Sequence, residues 1–254
     1  MKQILFCLLV LIALRPALLL AQKPGQPQTD AKLAQAEKLD LDGYHFFIER
    51  NYRRALDSFQ NELQLRRAAR DALGEAWALN QIGESYLSLG ETQSALKSYN
   101  QALPLFRQLK ESHGIARTLH ALASCHAALG NNAGALKELT EALALVHASE
   151  DRQWEGMILG DIAITYLALG EKQLGFKYLN ERLAYERIQT NQVGEADALK
   201  SLGAAYQSNG EKRKALDSYL QALSILREMS RRMTSDRLTA EIKDVQDAIK
   251  KLEN

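Results

Sequence analysis

The chain has 254 residues, of which 46% are hydrophobic and 25% charged, an ordinary composition for a globular protein of one or two domains. Its 32 lysines and arginines nearly balance 31 aspartates and glutamates. Without a basic excess, the composition argues against a dedicated nucleic-acid binder, and charge alone identifies no partner.

The first 21 residues have the pattern of a secretory signal peptide. Lys2 is closely followed by eleven apolar residues that end at Leu14, and a second short apolar stretch ends at Ala21. A charged start, a short apolar run and a small residue at its end are typical of a cleavable export signal. We therefore expect an exported protein, periplasmic or secreted, that is cleaved after Ala21. Leu19 stands where the cleavage rule prefers a small residue, which leaves an uncleaved membrane anchor, or an apolar start without a targeting role, as alternatives.

A polar linker is predicted over residues 22–30, and the region after it has no disulfide framework. The chain has two cysteines, Cys7 inside the predicted signal and Cys125 in the body of the protein. A mature chain with a single cysteine forms no internal disulfide. Free cysteine is among the most buried residue types, so we expect Cys125 to be a small buried hydrophobic residue and not a nucleophile.

From residue 31 onward the sequence repeats itself every forty residues. Leucine occupies two columns of this repeat without exception, a bulky ring fills a third, and a small residue fills a fourth. The columns are Leu39, Leu79, Leu119, Leu159 and Leu199; Leu63, Leu103, Leu143, Leu183 and Leu223; Phe46, Tyr86, His126, Tyr166 and Tyr206; and Ala55, Ala95, Ala135, Gly175 and Ala215. A fixed period of this length is typical of a stacked repeat protein. It predicts five repeats, at about 31–70, 71–110, 111–150, 151–190 and 191–229.

Each repeat has the pattern of two helices joined by a tight turn. In the second repeat, Leu79, Ile82 and Tyr86 follow helical spacing, which places them on one face of a first helix. Gly90 then suits a left-handed C-cap, after which the chain can turn into a second helix. A further column of small residues is expected to let the two helices approach closely, opposite the alanine column that contains Ala95. Its members are Gly83, Ala123, Ala163 and Gly203.

This pattern resembles the tetratricopeptide repeat (TPR) over residues 31–229. The family's large, small and ring positions in the first helix, and its Ala, ring and Ala positions in the second, match Leu79, Gly83, Tyr86, Ala95, Tyr99 and Ala102. The forty-residue period looks like the version found in kinesin light chains and many bacterial repeat proteins. The resemblance implies an all-α fold, a right-handed α-solenoid of helical hairpins known as a TPR superhelix. His126, Gly175 and Arg182 depart from the pattern, which has a tyrosine and two alanines at these positions.

The segment after Met229 carries a separate helical stripe. The stripe consists of Leu238, Ile242, Val245, Ile249 and Leu252. We predict a C-terminal capping helix over residues 234–254 that covers the last repeat and exposes its polar side to water. The alternative is a short coiled-coil dimer, although the stripe spans fewer heptads than a secure coiled-coil assignment needs.

The sequence contains no pattern that indicates catalysis or a cofactor. Its five histidines show neither HExxH spacing nor a cysteine pair that would complete a zinc site. His126 stands in the ring column, which favours a packed core histidine over a metal ligand. Because these motifs do not assemble a nucleophile, a base and an orienting group, we expect no metal, no cofactor and no enzyme activity.

One face of each first helix, roughly 120° from its apolar face, is free for binding. In the TPR family this face lines a concave groove that binds peptide segments of partners. By register, the partner-binding groove carries Trp77, Asn80, Glu84, Arg117, His120, Ser124, Met157, Asp197 and Lys200, with Gly160, Ile164 and Ala204 beside them. Trp77 and Arg117 are the expected anchors, because tryptophan and arginine dominate binding hot spots. The alternative for Trp77 is packing against the neighbouring repeat.

The resemblance implies a protein–protein interaction module or scaffold that binds a protein or peptide partner, and the N-terminal signal pattern adds the expectation that it is exported. We expect no nucleic acid, membrane contact only through an uncleaved N-terminal segment, and a monomer or weak dimer. The alternative function is a self-assembling or envelope-anchored structural protein, in which the C-terminal helix or the N-terminal segment carries the assembly.

Overall fold

The computed structural model describes residues 27–149, 154–233 and 235–253, and 88% of them are helical. The predicted signal peptide, residues 1–21, lies outside the described residues. Eleven α-helices and no strand are found in the described ranges. The helices are α1 (Pro27–Ile48), α2 (Tyr52–Ala69), α3 (Ala72–Ser88), α4 (Thr92–Leu109), α5 (Ser112–Ala128), α6 (Asn132–Ala148), α7 (Glu155–Ala168), α8 (Lys172–Ile188), α9 (Gln192–Ser208), α10 (Lys212–Arg232) and α11 (Asp236–Glu253). None of these helices is both long and apolar enough to cross a membrane.

The helices pack as hairpins in chain order. α1 packs against α2, α3 against α4, α5 against α6, α7 against α8 and α9 against α10, and each second helix also contacts the next first helix. α11 packs against α10. The predicted all-α solenoid of helical hairpins with a C-terminal capping helix is confirmed. The polar linker predicted over residues 22–30 extends too far, because α1 begins at Pro27; proline is tolerated in a first turn, where its missing N–H needs no partner.

Each hairpin turns at a residue with left-handed backbone conformation. Gly90 has a φ of 79°, and its counterparts in the next three hairpins have values of 77°, 81° and 78°. Glycine adopts this conformation without the steric cost that a Cβ adds. Arg50 has a φ of 60° at the same point of the first hairpin, so the turn imposes this conformation even without glycine.

Close contact inside the hairpins depends on a small residue of the first helix. A Cβ placed on Gly83 would lie 2.6 Å from the ring of Tyr99, and one placed on Gly203 would lie 2.7 Å from the ring of Tyr219. Both distances are well below carbon–carbon contact, so each ring fills the space that glycine leaves. The alanine column that contains Ala95 was expected opposite this position, and the structure places the ring of the second helix there instead.

The small residue varies with the size of its partner in the second helix. Glycine stands in register with an aromatic ring in the first, second and fifth hairpins, whereas alanine stands in register with leucine in the third and fourth. The pairs are Gly43 with Phe59, Gly83 with Tyr99, Ala123 with Leu139, Ala163 with Leu179, and Gly203 with Tyr219. All five second-helix partners are buried. A methyl group removed from the first helix is thus matched by a larger side chain on the second.

The apolar stripe of α11 is buried against the last hairpin. Leu238, Val245, Ile249 and Leu252 are each at most 9% exposed, and they share a hydrophobic cluster with Leu226 of α10. Because the stripe is covered within the chain, it does not form the exposed face that a coiled-coil dimer would need.

Cys125 is free and fully buried, as predicted. Burial, together with the carboxylate of Glu138, raises the pKa of Cys125 to about 11, so the thiol stays protonated at neutral pH and is a poor nucleophile. His126 is only partly buried, and its Nδ1 lies 3.1 Å from Oε2 of Glu138. Burial raises the pKa of Glu138 against the opposing effect of His126. The ring column therefore holds a histidine–carboxylate pair here, where a packed core histidine was expected.

We predict that Gly203→Leu lowers the free energy of unfolding by about 1–3 kcal/mol, because the added side chain meets the ring of Tyr219 in a packed contact. Urea unfolding followed by circular dichroism measures the change. Ala204→Leu, an exposed position on the same helix, is the matched control and should stay within about 0.5 kcal/mol of wild type. Equal unfolding curves for the two variants would show that α9 and α10 do not meet at this column.

Candidate functional site

Polar side chains join the first helices of successive repeats at one recurring pair of positions, 41 residues apart. Pairs of this kind connect the first repeat to the second, the third to the fourth, and the fifth to α11. They are Gln81 Nε2 with Asp40 Oδ1 at 2.6 Å, His120 Nε2 with Asp161 Oδ2 at 2.6 Å, and Lys200 Nζ with Glu241 Oε2 at 3.6 Å. Two predicted groove residues, His120 and Lys200, therefore also hold neighbouring helices together.

Asn80 is buried in the junction between the second and third repeats. It is 1% exposed, and its Nδ2 donates to Oγ1 of Thr118 at 2.9 Å. The Thr118 hydroxyl in turn donates to the carbonyl of Gly114 at 2.6 Å. The structure thus corrects the expectation that Asn80 lines the open groove, because register predicts the direction of a side chain but not how deeply its neighbours cover it.

Trp77 and Arg117 lie side by side, as their equivalent positions in adjacent repeats predict. The guanidinium carbon of Arg117 is 5.6 Å from the centroid of the Trp77 ring. Arg117 Nη2 and Nε also donate to Oε1 of Glu84, at 2.5 Å and 3.2 Å respectively. Burial opposes the charge on Arg117 most strongly, but the charge and hydrogen bond of Glu84, together with Tyr44 and Tyr99, act in the other direction, and the pKa of Arg117 is raised. Arg117 is therefore a permanent cation that is already paired.

Trp77 begins a series of ring contacts that crosses from the second repeat to the fourth. Its ring packs edge-on against the fully buried Phe106, with centroids 4.8 Å apart, and lies 5.9 Å from His113. His113 and His120 lie 6.2 Å and 5.8 Å from the ring of Trp154. Trp77 thus packs on the hairpin, and part of its side chain stays exposed.

Sequence reasoning missed Trp154, although the repeat contains a signal for it. Trp154 occupies a column that holds Gly74, Gly114 and Gly194 in three other repeats. It is the N-cap residue of α7, and its side chain makes no capping hydrogen bond. In the other three repeats the glycine is the third residue of its helix and donates its N–H to the N-cap side chain, so Trp154 departs from the column both in residue type and in its position relative to the helix. The departure from the column indicates a role for the ring.

A cavity of about 270 Å³ opens beside these rings at the junction of the third and fourth repeats. Among the residues that line it are His113, Ala116, Arg117, Leu145, Val146 and Trp154. Pockets for small molecules start at about 300 Å³, so this volume fits one large side chain better than a cofactor. A wider depression of about 600 Å³ lies between the fourth and fifth repeats, where Arg187 pairs with Glu195 at 2.7 Å.

The remaining predicted groove residues differ in exposure. Ser124, Met157, Ile164 and Ala204 are exposed, Asp197 and Lys200 are partly buried, and Gly160 is buried. Asp197 and Lys200 pair with each other at 2.9 Å. Met157 is 46% exposed and Ile164 55%, so α7 carries an apolar surface that continues from Trp154. Within the described part of the chain, no three His, Cys, Asp or Glu side chains are grouped to hold a metal ion.

The first helices carry tryptophan, arginine and exposed apolar side chains on the side that was predicted to line the groove, which is called the inner face below. Stacked helical hairpins of this kind define a helical-repeat protein. Family models described as tetratricopeptide repeat match residues 43–108 and 198–233. No curated protein sequence matches the chain. Over these two ranges the chain has tetratricopeptide repeats, and the repeats resemble those of kinesin light chains.

Solved structures share this fold at low sequence identity. The TPR-like repeats assigned to a kinesin light chain of Podosopora anserina give a TM-score of 0.65 at 16% identity, over 83% of this chain and 100% of that one. BtubC from P. vanneervenii gives 0.59 at 18%, over 82% and 93%. A Rap protein complexed with Competence and Sporulation Factor gives 0.68 at 16%, over 87% and 66%. At these identities the likeness concerns the fold alone.

We predict that Thr118→Val lowers the free energy of unfolding by about 1–3 kcal/mol, because it leaves the buried amide of Asn80 without its partner. Equilibrium urea unfolding measures the loss. Asn80→Leu combined with Thr118→Val removes both polar partners and should recover most of it. If the double variant is as unstable as the single one, the shape of the pair and not its hydrogen bond stabilises the junction.

Proposed function

We propose that the chain is a protein–protein interaction module that binds a segment of its partner along the inner face of the first helices. The tetratricopeptide fold is that of an interaction scaffold. The observation that carries the proposal is the presence of Arg117 and Trp154 in the wall of a partly open cavity, with Trp77 packed against Arg117 and His113 of the same wall. Tryptophan and arginine dominate hot spots because they bury large areas or form forked hydrogen bonds once water is excluded.

The chemistry of the cavity favours one large apolar side chain of the partner as its occupant. Ala116, Leu145 and Val146 supply apolar walls, and Trp154 supplies a ring. Arg117 at the edge of the cavity is already paired with Glu84. A charged partner side chain would have to compete with that ion pair and lose its own hydration, whereas an apolar one gains by leaving water.

The surface beyond the cavity supports a longer bound segment. Met157 and Ile164 are exposed on α7 and follow Trp154 along the same helix. A segment anchored in the cavity would cover both, which adds buried apolar area without new ion pairs. A Rap protein of the same fold has been solved in complex with Competence and Sporulation Factor, which supports a fold of this type as a receptor.

The rival function is a self-assembling or envelope-anchored structural protein. Burial of the α11 stripe against α10 favours the module, because no apolar stripe of α11 is left for a second copy. Size-exclusion chromatography with mass measurement distinguishes the two. A monomer at all concentrations supports the module, and a dimer that disappears when residues 234–254 are removed supports assembly.

We also propose that residues 1–21 direct export of the chain, to the periplasm or the medium of a bacterial host. The charged start and the short apolar run support this proposal. An exported module would meet its partner in the cell envelope or outside it, and an uncleaved segment would hold it at the membrane.

We predict that Met157→Glu with Ile164→Glu weakens partner binding at least tenfold, since two carboxylates would have to be buried beneath an apolar segment. The partner is first captured in the native host with a photo-crosslinking amino acid at position 164. Calorimetry with the purified partner then gives the affinities.

Leu129→Glu with Leu169→Glu is the matched control for this experiment. Each leucine is 44% exposed and lies at the turn of a hairpin, so the same chemical change is made away from the inner face. The control should bind like wild type. If wild type and the variant with Met157→Glu and Ile164→Glu bind the partner with equal affinity, the inner face is not the binding surface, and α11 becomes the favoured candidate.

We predict that the protein isolated from its native host begins at Gln22 or within a few residues of it, because a signal peptidase cleaves after the small residue that ends the apolar run. N-terminal sequencing of the envelope and secreted fractions checks this. Intact Met1 in the cytosolic fraction would contradict export.

A further inference from the structure

α1 has an uncovered side at the N-terminal end of the stack. In every later first helix the equivalent side is buried. Two of its columns are Ala78, Thr118, Ile158 and Ala198, and Ser85, Cys125, Thr165 and Ala205, each at most 5% exposed. Thr118 shows that the preceding repeat covers this side, because it bonds to Asn80. In the described part of the chain no repeat precedes α1, and Lys38 and His45, which occupy the two columns there, are exposed.

The uncovered side of α1 also carries large apolar residues where later repeats have small or polar ones. Leu41 is 59% exposed and Ile48 46%. Their counterparts in the later repeats are Gln81, Ala121, Asp161 and Ser201, and Ser88, Ala128, Ala168 and Ser208. Leu41 and Ile48, together with the exposed Ala34, Lys38 and His45, are called the end face below.

The end face has the spacing of a helix stripe that packs against another helix. Its members follow one another at intervals of three and four residues, over about 21 Å of α1. A second copy of α1 that runs antiparallel, with a two-fold axis at Leu41, matches this stripe. Leu41 then meets its own counterpart, and Ala34 of each chain lies opposite Ile48 of the other. A small residue thus faces a large one, as it does inside the hairpins.

The charges beside the stripe are complementary in the same arrangement. Lys38 and Asp42 are both exposed along one edge of the end face. They lie on either side of the axis, within one turn of it, so antiparallel packing places Lys38 of each chain beside Asp42 of the other. The dimer thus gains two contacts between opposite charges. The stem of Lys38 lies along the apolar contact while its ammonium reaches the carboxylate.

The residues before α1 are too few to cover the end face once the predicted signal is removed. Cleavage after Ala21 leaves only residues 22–26 ahead of α1, and a fully extended segment of this length spans at most about 18 Å. Leu41 lies about 21 Å along α1 from Pro27, and Ile48 lies farther still. This step rests on the proposed export and cleavage. A second copy is then the occupant that the pattern of size and charge favours.

We propose that the protein forms a weak homodimer through the end face, in which α1 of one chain packs antiparallel on α1 of the other. Contact between two single helices buries less than the roughly 1,200 Å² at which stable complexes begin, so the association is weak. The dimer does not use α11, which distinguishes it from the rival assembly. Met157 and Ile164 lie on α7, outside the contact, so the proposed partner binding does not depend on the dimer.

Sedimentation equilibrium of the chain isolated from its native host tests the dimer. The average mass of wild type should rise from one chain toward two between about 10 μM and 1 mM. Leu41→Glu should raise the dimer Kd at least tenfold, because it brings two carboxylates together on the axis of an apolar contact. Leu220→Glu, at a leucine of α10 that is 47% exposed, is the matched control and should dimerise like wild type. Circular dichroism shows whether both variants are folded.

A charge exchange tests the antiparallel arrangement. Lys38→Glu alone and Asp42→Lys alone should each raise the dimer Kd about threefold or more, because each places like charges together at both ends of the contact. An equimolar mixture of the two variants should recover wild-type association, since every contact in the mixed dimer again joins opposite charges. The mixture cannot restore the charge balance within either chain, so recovery reports contact between chains. A mixture that associates no better than the single variants overturns the arrangement.

The other occupants of the end face give different results. A wild-type chain that begins near Gln22 and stays monomeric at 1 mM overturns the dimer and leaves the proposed cleavage standing. A dimer that disappears when residues 234–254 are removed, but tolerates Leu41→Glu, supports the rival assembly and overturns the end face. If the host retains residues 1–21 and the chain is a monomer in which Leu41→Cys resists a maleimide reagent, that segment is the occupant, and both the dimer and the cleavage are wrong.

Discussion

The distance between the two helices of a hairpin is the constraint on which the rest of the stack depends. Gly83 leaves no room for even a Cβ beside the ring of Tyr99. Where alanine replaces glycine, in the third and fourth repeats, leucine replaces the ring. Both combinations fill the contact at close approach, and the first helices therefore meet at equivalent positions from one junction to the next. The links 41 residues apart are a consequence of this regular packing.

The inner face divides into side chains that join repeats and side chains that stay available. Asn80 is buried in a junction, and Arg117 is paired with Glu84. Met157 and Ile164, in contrast, are exposed apolar side chains. Both kinds of side chain occur between the third and fourth repeats. There the His120–Asp161 pair and the walls of the 270 Å³ cavity involve the same two first helices, α5 and α7. A partner that binds there contacts the part of the stack whose junction chemistry differs from that of its neighbours.

The forty-residue period predicted the hairpins and the left-handed turns, and the helical spacing after Met229 predicted the buried stripe of α11, because each depends on residues close together in sequence. The inner-face side chains were only partly predictable. Register placed Trp77 beside Arg117, but it could not show that Asn80 is covered, since burial depends on the adjacent repeat. Trp154 was missed because the repeat was defined by residues that recur every forty positions, whereas Trp154 stands in a column that holds glycine in three other repeats. Arg182, noted as a departure from alanine, lies 4.0 Å from the buried carboxylate of Glu186, and the first repeat has an ion pair of opposite order, Glu62 with Arg66, at the same two positions.

The matching of Gly83 with Tyr99, and of Ala163 with Leu179, has a consequence for how such a gene can be rearranged. A crossover at the turn inside a hairpin, between a repeat with glycine and a ring and a repeat with alanine and leucine, would join a first helix to a second helix of the wrong size class. Alanine would then meet a ring, or glycine would face a leucine and leave a void. A crossover between hairpins keeps each pair intact. The unit that duplication or recombination can move without a packing defect is therefore the whole hairpin. Side-chain volume thus determines where the boundaries of such a unit lie.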